Sequence, residues 1–192
     1  MKTIILGSGK GSNCQAILDS YSAGLLNSSK IVAVVSDQES SGILEVANAS
    51  SIPATYLGNY ERNNPSIDRK WIKELKKSNP DLIVLAGFMS VLSNDFIEAF
   101  HSRIINLHPS LLPSFPGLNA IRKAWVKGVK ITGCTVHWVS PEIDSGKIIA
   151  QAPVRIMPSD TLDSVTAKVH AAEHMLLPSV IAQLSQEFVS SV

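Results

Sequence analysis

Asn106 and His108 stand two residues apart where an apolar run, "RII", opens into "NLHPSLLPSFPG". On a strand, residues i and i+2 project to one face, so the amide and the imidazole are expected side by side. Pro109, Pro113 and Pro116 follow. Each restricts φ and offers no backbone donor, which predicts an exit loop held in one shape. An amide N–H and a protonatable ring at one point could stabilise an oxyanion or move a proton. A buried Asn/His pair satisfying nearby backbone groups accounts for the same residues without any chemistry.

Two other stretches carry polar groups in telling places. "LGSGKGSN" sets Gly7, Gly9 and Gly11 ahead of Ser12 and Asn13, between a strand-like run and a helical pattern. A dinucleotide fingerprint or a P-loop starting at Gly7 needs glycine at position 12, so both fail on spacing. What remains is a tight turn whose free N–H groups, at a helix N-terminus, attract an anion. A plain Ser/Asn-capped turn is the alternative. "SPEIDSGKII" holds Asp144 between two extended runs. A carboxylate beside His108 would favour the imidazolium and could relay a proton through water, while an Asx-type turn explains Asp-Ser-Gly equally well.

"HAAEH" matches the inverted zinc-protease pattern, with His170 and His174 on one helical face. Such a site needs a third protein ligand, commonly a downstream carboxylate, and only Glu187 follows. No metal site is expected. Cys14 and Cys134 lie far apart and read as small buried hydrophobes.

These residues must be positioned by a core, and 192 residues suffice for one domain spanning positions 1–192. Hydrophobic content of 45% with 17% charged residues is ordinary globular composition. Seventeen basic against sixteen acidic residues advertise neither a nucleic-acid nor a membrane partner. The opening "MKTIILGSG" is too short an apolar run for a signal peptide, and no segment approaches the roughly 20 apolar residues of a membrane helix. A reduced cytoplasmic protein is expected.

Short apolar runs alternate with helical patterns. "TIILG", "KIVAVVSD", "DLIVLAG" and "RIINLH" read as strands. Between them fall a helix with Cys14, Ile17, Leu18, Tyr21 and Leu25 on one stripe, a short helix at "GILEVANAS", and a helix capped by Asn64 that stops at Pro80. "SNDFIEAF" is a short capped helix. After the proline loop come a helix near "NAIRKAWVKG", two extended runs joined by "PEIDSG", and a helical end that Pro178 should kink or split. The fold class is α/β: a Rossmann-like, mostly parallel sheet flanked by helices, with an added strand pair after the loop carrying His108.

Taken in order, "GSGKGSN", "AGFMSVLS", "INLHPSLLPSFPGLNAI", "GCTVHWVSPEIDSGKIIAQAPV" and "VHAAEH" resemble the phosphoribosylglycinamide formyltransferases of purine synthesis over nearly the whole chain. The resemblance implies 10-formyltetrahydrofolate as co-substrate, with its formyl group passing to glycinamide ribonucleotide (GAR). It implies Asn106, His108 and Asp144 as the catalytic trio and Gly11, Ser12 and Asn13 as the phosphate loop. Gly87, Pro109, His170 and Glu173 would hold the glycinamide end. Met89, Ser90, Val91 and Leu92 would hold the folate with Ser140, Pro141, Glu142, Ile143, Asp144 and Asn106. No metal, nucleic acid or membrane is implied, and a monomer or homodimer is expected.

Three positions depart from common family residues: Asn119 where His is usual, Ser90 where Arg is frequent, and Asn64 where some members carry Arg. Arg62 is a candidate replacement for the last. Related folate hydrolases carry an extra N-terminal domain and initiator-tRNA formyltransferases a basic C-terminal one, which this sequence is not expected to have. A non-catalytic nucleotide-binding protein would explain the glycines and Asp37 but leave Asn106, His108 and Asp144 coincidental.

Overall fold

The computed structural model describes residues 1–190. In chain order the elements are β1 (Lys2–Leu6), α1 (Ser12–Ser22), β2 (Lys30–Ser36), α2 (Gly42–Ala49), β3 (Ala54–Tyr56), α3 (Pro65–Lys76) and β4 (Leu82–Leu85). They continue as α4 (Asn94–Ala99), β5 (Ile104–His108), α5 (Ala120–Lys127), β6 (Ile131–Trp138), β7 (Ile148–Arg155) and α6 (Leu162–Ser190). The strands form one sheet in the order β3-β2-β1-β4-β5-β6-β7. The first five are parallel, and β6 and β7 are antiparallel to their neighbours.

Parallel strands covered on both faces read as unbroken apolar runs, and "TIIL" and "LIVL" are fully buried. Side-chain alternation divides each strand between two cores. Ile4 and Leu6 pack with Trp71 and Phe96, while Ile5 packs with Cys14, Ile17 and Leu18. The chain turns back at β1: β2 lies on one side of it and β4 on the other. Ligand crevices of open α/β sheets form at the carboxyl ends of strands flanking such a reversal. The glycine loop and the segment after β4 both start there.

The added pair forms as expected, and the strand at positions 54–56 is the element that sequence patterning misses. It is three residues long, partly or fully exposed, and carries no apolar run. Helix ends also shift. Gly24, at φ 73°, follows the end of α1, so Leu25 leaves the expected stripe and is 65% exposed. Asn64 does cap α3, accepting from the Ser66 N–H at 3.2 Å, but the helix ends at Lys76. Left-handed Asn79 turns the chain before Pro80 is reached. The last helix is not split: α6 runs unbroken through Pro178. Proline denies the His174 carbonyl its usual donor, while Leu177, Val180 and Ile181 anchor that stretch in the core.

Candidate active site

Two antiparallel strands bring the central polar groups together. Asn106 and His108 on β5 are register partners of His137 and Thr135 on β6. The Asn106 Nδ2 lies 3.2 Å from His137 Nε2, and His137 Nδ1 lies 2.9 Å from the Trp138 carbonyl. A ring protonated at Nδ1 alone donates to that carbonyl and accepts from the amide; protonated at Nε2 as well, it turns a donor toward the carboxylate of Asp144. Asp144 reaches the same cluster from the β6–β7 loop. Its Oδ2 is 3.2 Å from His108 Nδ1, and its Oδ1 is 3.6 Å from His137 Nε2. The Gly117 N–H donates to Asp144 Oδ2 at 2.7 Å.

Asp144 adopts φ 51°, a region that aspartate tolerates better than most residues. The turn that presents it closes tightly on β6. A Cβ at Gly146 would lie 1.7 Å from the Trp138 carbonyl oxygen, so only glycine fits. Burial pushes the Asp144 carboxyl up, but His137, the Gly117 N–H and the His108 ring outweigh it. The group sits below its ordinary range.

His108 is buried, and its second ring nitrogen, Nε2, lies 2.9 Å from the Phe115 carbonyl. Both nitrogens therefore face acceptors, and only a doubly protonated ring satisfies both. The loop holding Phe115 is itself fixed by Thr135. The Thr135 hydroxyl donates to the Ser110 carbonyl at 2.7 Å and accepts from the Leu112 N–H and Gln151 Nε2. The expected rigid exit is built from this buried hydroxyl as well as from the prolines.

The cluster borders a cavity of about 370 Å³ lined largely by apolar side chains, a size in the range of small-ligand pockets. Residues 89–92 and 140–144 line it, as do Gly87, Asn106, His108 and Pro109. Gly11, Ser12, Asn13, His170 and Glu173 do not. Of these, Asn13 and Glu173 meet where α1 packs on α6: the Asn13 Nδ2 donates to Glu173 Oε2 at 3.2 Å. Burial raises the Glu173 carboxyl above its ordinary range, more than Asn13 and His174 lower it. His170 is exposed. Gly11 takes φ 85°, and a Cβ there would meet the Ile43 Cα at 2.7 Å. Glycine thus lets α2 press against the start of α1, whose first-turn N–H groups carry partial positive charge.

Several participants were not singled out from sequence. His137 is the chief one. Its signal was present in "GCTVHW", where Thr135 and His137 alternate with the apolar Cys134 and Val136 as Asn106 and His108 do on β5. Ser8 is another. Its N–H donates to the Gly87 carbonyl at 3.0 Å and its hydroxyl accepts from the Met89 N–H at 2.9 Å, joining the glycine loop to the segment after β4. The thiols of Cys14 and Cys134 are buried and pushed up to about 12, first by desolvation. Neither is a competent nucleophile near neutrality. Among the described residues no group of three or more His, Cys, Asp or Glu could hold a metal ion. Nor is any helix there long and apolar enough to cross a membrane.

The three departures have local roles. Asn64 caps α3, Asn119 supplies a left-handed residue at φ 60° before α5, and Ser90 donates to Asp37 Oδ2 at 2.7 Å. Arg62 is exposed and does not line the cavity.

The formyl transferase family model matches residues 1–181. The phosphoribosylglycinamide formyltransferase of Bacillus subtilis (strain 168) is 37% identical over 185 residues, covering 95% of this chain and 94% of its own. The trifunctional purine biosynthetic protein adenosine-3 of Drosophila melanogaster is 39% identical over 186 residues. There the match takes in 95% of this chain but 14% of that protein. Among solved structures, glycinamide ribonucleotide transformylase 1 from Symbiobacterium toebii superposes with a TM-score of 0.92 at 36% identity. That match covers 97% of this chain and 88% of the other. The chain belongs to the formyl transferase family.

Proposed function

We propose that the protein transfers the formyl group of 10-formyltetrahydrofolate to the amine of 5-phosphoribosylglycinamide, in de novo purine biosynthesis, by direct transfer through a tetrahedral intermediate. The observation that carries this reading is the Asn106–His108–His137–Asp144 cluster at the edge of an apolar cavity. The family relationship and the glycinamide-specific relatives support it.

In this reading the folate lies along residues 89–92 and 140–144, and the GAR phosphate meets the α1 N-terminus at Gly11, Ser12 and Asn13. Gly87, Pro109, His170 and Glu173 hold the glycinamide end. The amine attacks the formyl carbon, and the carbonyl oxygen becomes an oxyanion. His108 exchanges its bond to the Phe115 carbonyl for that oxygen, and Asn106 turns its amide from His137 to the same atom. Fixed donors aimed at developing charge are a large source of rate enhancement. Asp144 holds the imidazolium in place and takes part in moving the amine's proton to the departing folate nitrogen. The substrate amine is itself the nucleophile, so no covalent enzyme intermediate is required, consistent with the raised thiols of Cys14 and Cys134. We place it in the cytoplasm, as a monomer or homodimer with no nucleic-acid partner.

The test is incubation of the purified protein with both substrates, following folate absorbance and the mass of the nucleotide product. Formylated GAR is the expected product. Formate released without GAR would make the protein a hydrolase, and no change in either substrate would overturn the reading.

A further inference from the structure

The segment that follows β4 is tied down at three points. Ser8 holds Met89, Asp37 holds Ser90, and the Tyr60 hydroxyl accepts from the Ser93 N–H at 3.1 Å. The Tyr60 tether sits within an aromatic cluster with Trp71, Phe88 and Phe96, bonded onward to buried Asp68. It is part of the core. The Asp37 tether is different. Asp37 stands just past β2 and reaches across the end of β1 to a residue 53 positions away in sequence.

Asp37 is 1% exposed, yet its Oδ1 has no hydrogen-bond partner among the described residues, and Ser90 bonds Oδ2. A buried carboxyl group with an unpaired oxygen costs stability, so fold stability does not explain its presence. Its visible consequence is the orientation of Ser90. The hydroxyl of this cavity-lining residue is bonded to the sheet-end carboxyl group.

We propose that Asp37 is a positioning residue for the co-substrate: by holding Ser90 it fixes the backbone of residues 89–92 in the shape that receives the folate. This rests on the functional reading above. Nothing in the chemistry touches Asp37; it acts through Ser90. Ser90 lines the cavity assigned to folate, whereas Gly11, Ser12, Asn13, His170 and Glu173 do not, so the effect should fall on folate and spare GAR.

The experiment compares Asp37→Ala, Asp37→Asn, Ser90→Ala and the double Asp37→Ala/Ser90→Ala variant with wild type. KM for each substrate, kcat and the thermal midpoint are measured for all. Loss of one buried hydrogen bond predicts about a tenfold rise in the folate KM for Asp37→Ala. The GAR KM should stay within about twofold. Asp37→Asn, whose amide oxygen still accepts from Ser90, should recover most of the loss. The double variant should be no worse than either single alanine variant, since both break one bond. An unchanged folate KM in Asp37→Ala overturns the proposal. So do additive single effects, or equal rises in both KM values with a lowered midpoint. If Asp37→Ala does not fold, Asp37→Asn and Ser90→Ala decide: Ser90→Ala must raise the folate KM and Asp37→Asn must not. Wild type without formyl transfer would overturn the functional reading itself, a result distinct from normal turnover with indifferent variants.

Discussion

Asn106 on β5 and His137 on β6 are register partners whose side-chain nitrogens lie 3.2 Å apart. Strand pairing, not loop conformation, therefore sets the spacing of half the polar cluster. His137→Ala should lower turnover about 10- to 100-fold, because Asn106 loses its acceptor and the donor geometry loosens. Substrate affinities should change far less. Steady-state kinetics at saturating substrate checks this, and a larger effect on KM than on kcat would contradict it.

His108→Ala should reduce turnover by roughly 100- to 1000-fold, the usual cost of one oxyanion donor. Such a donor acts mainly in the transition state, so calorimetry should find GAR binding nearly intact. Near-normal turnover in a folded variant would remove His108 from the mechanism.

Asp144→Asn should also lower turnover, since an amide of the same shape cannot hold the imidazolium by charge. Stability gives a second readout. Burial raises the Asp144 carboxyl, but His137, Gly117 and His108 outweigh it and hold the group below its ordinary range. Its ionised form therefore stabilises the fold above the unfolded value of about 3.9, and that contribution is lost as pH falls through the folded value. The gap in denaturant midpoint between wild type and Asp144→Asn should shrink as pH drops from about 7 to below about 3.9. A constant gap would mean that the negative charge contributes nothing.

Thr135→Val keeps the shape of a fully buried side chain but strands the Leu112 N–H. An unsatisfied buried donor costs about 1–3 kcal/mol, readable from urea unfolding. The proline loop should also loosen, with faster amide exchange at Leu112 than in wild type. Unaltered stability would show that water replaces the hydroxyl.

Asn13→Ala removes the donor to Glu173 and leaves that buried carboxyl group unpaired. The GAR KM should rise about 10- to 100-fold while the folate KM stays put. Wild type should also bind dephosphorylated GAR more weakly than GAR, because the α1 N-terminus favours an anion. Equal affinity for the two forms would reduce the glycine loop to a turn.

Much of this was legible in the sequence, for identifiable reasons. Unbroken apolar runs mark strands buried on both faces, and Asn64–Pro65 marks a helix start. The polar i, i+2 pair on β5 was visible by itself. Its partner on β6 required the antiparallel register, which depends on the whole Phe115-containing loop and α5 between the strands. Local alternation alone therefore does not assign His137, which becomes a neighbour of Asn106 only through that register. Asp37 and Ser8 were harder still. Both act on a segment about 50 and 80 residues downstream, and neither belongs to a local pattern. The three exposed or half-exposed residues of β3 offer no periodicity at all.

Ser8 belongs to two loops at once: its N–H bonds Gly87 and its hydroxyl bonds Met89, while its own chain continues into the glycine turn before α1. In the proposed reading, and in thermodynamic terms, the loop assigned to phosphate and the segment assigned to folate share one mechanical element. A ligand that stiffens residues 7–13 lowers the entropy left to lose at residues 87–92, and the converse holds by the same factor. Mutually reinforcing binding of the two substrates would then be a property of a single serine, arising with no subunit contact and no moving lid.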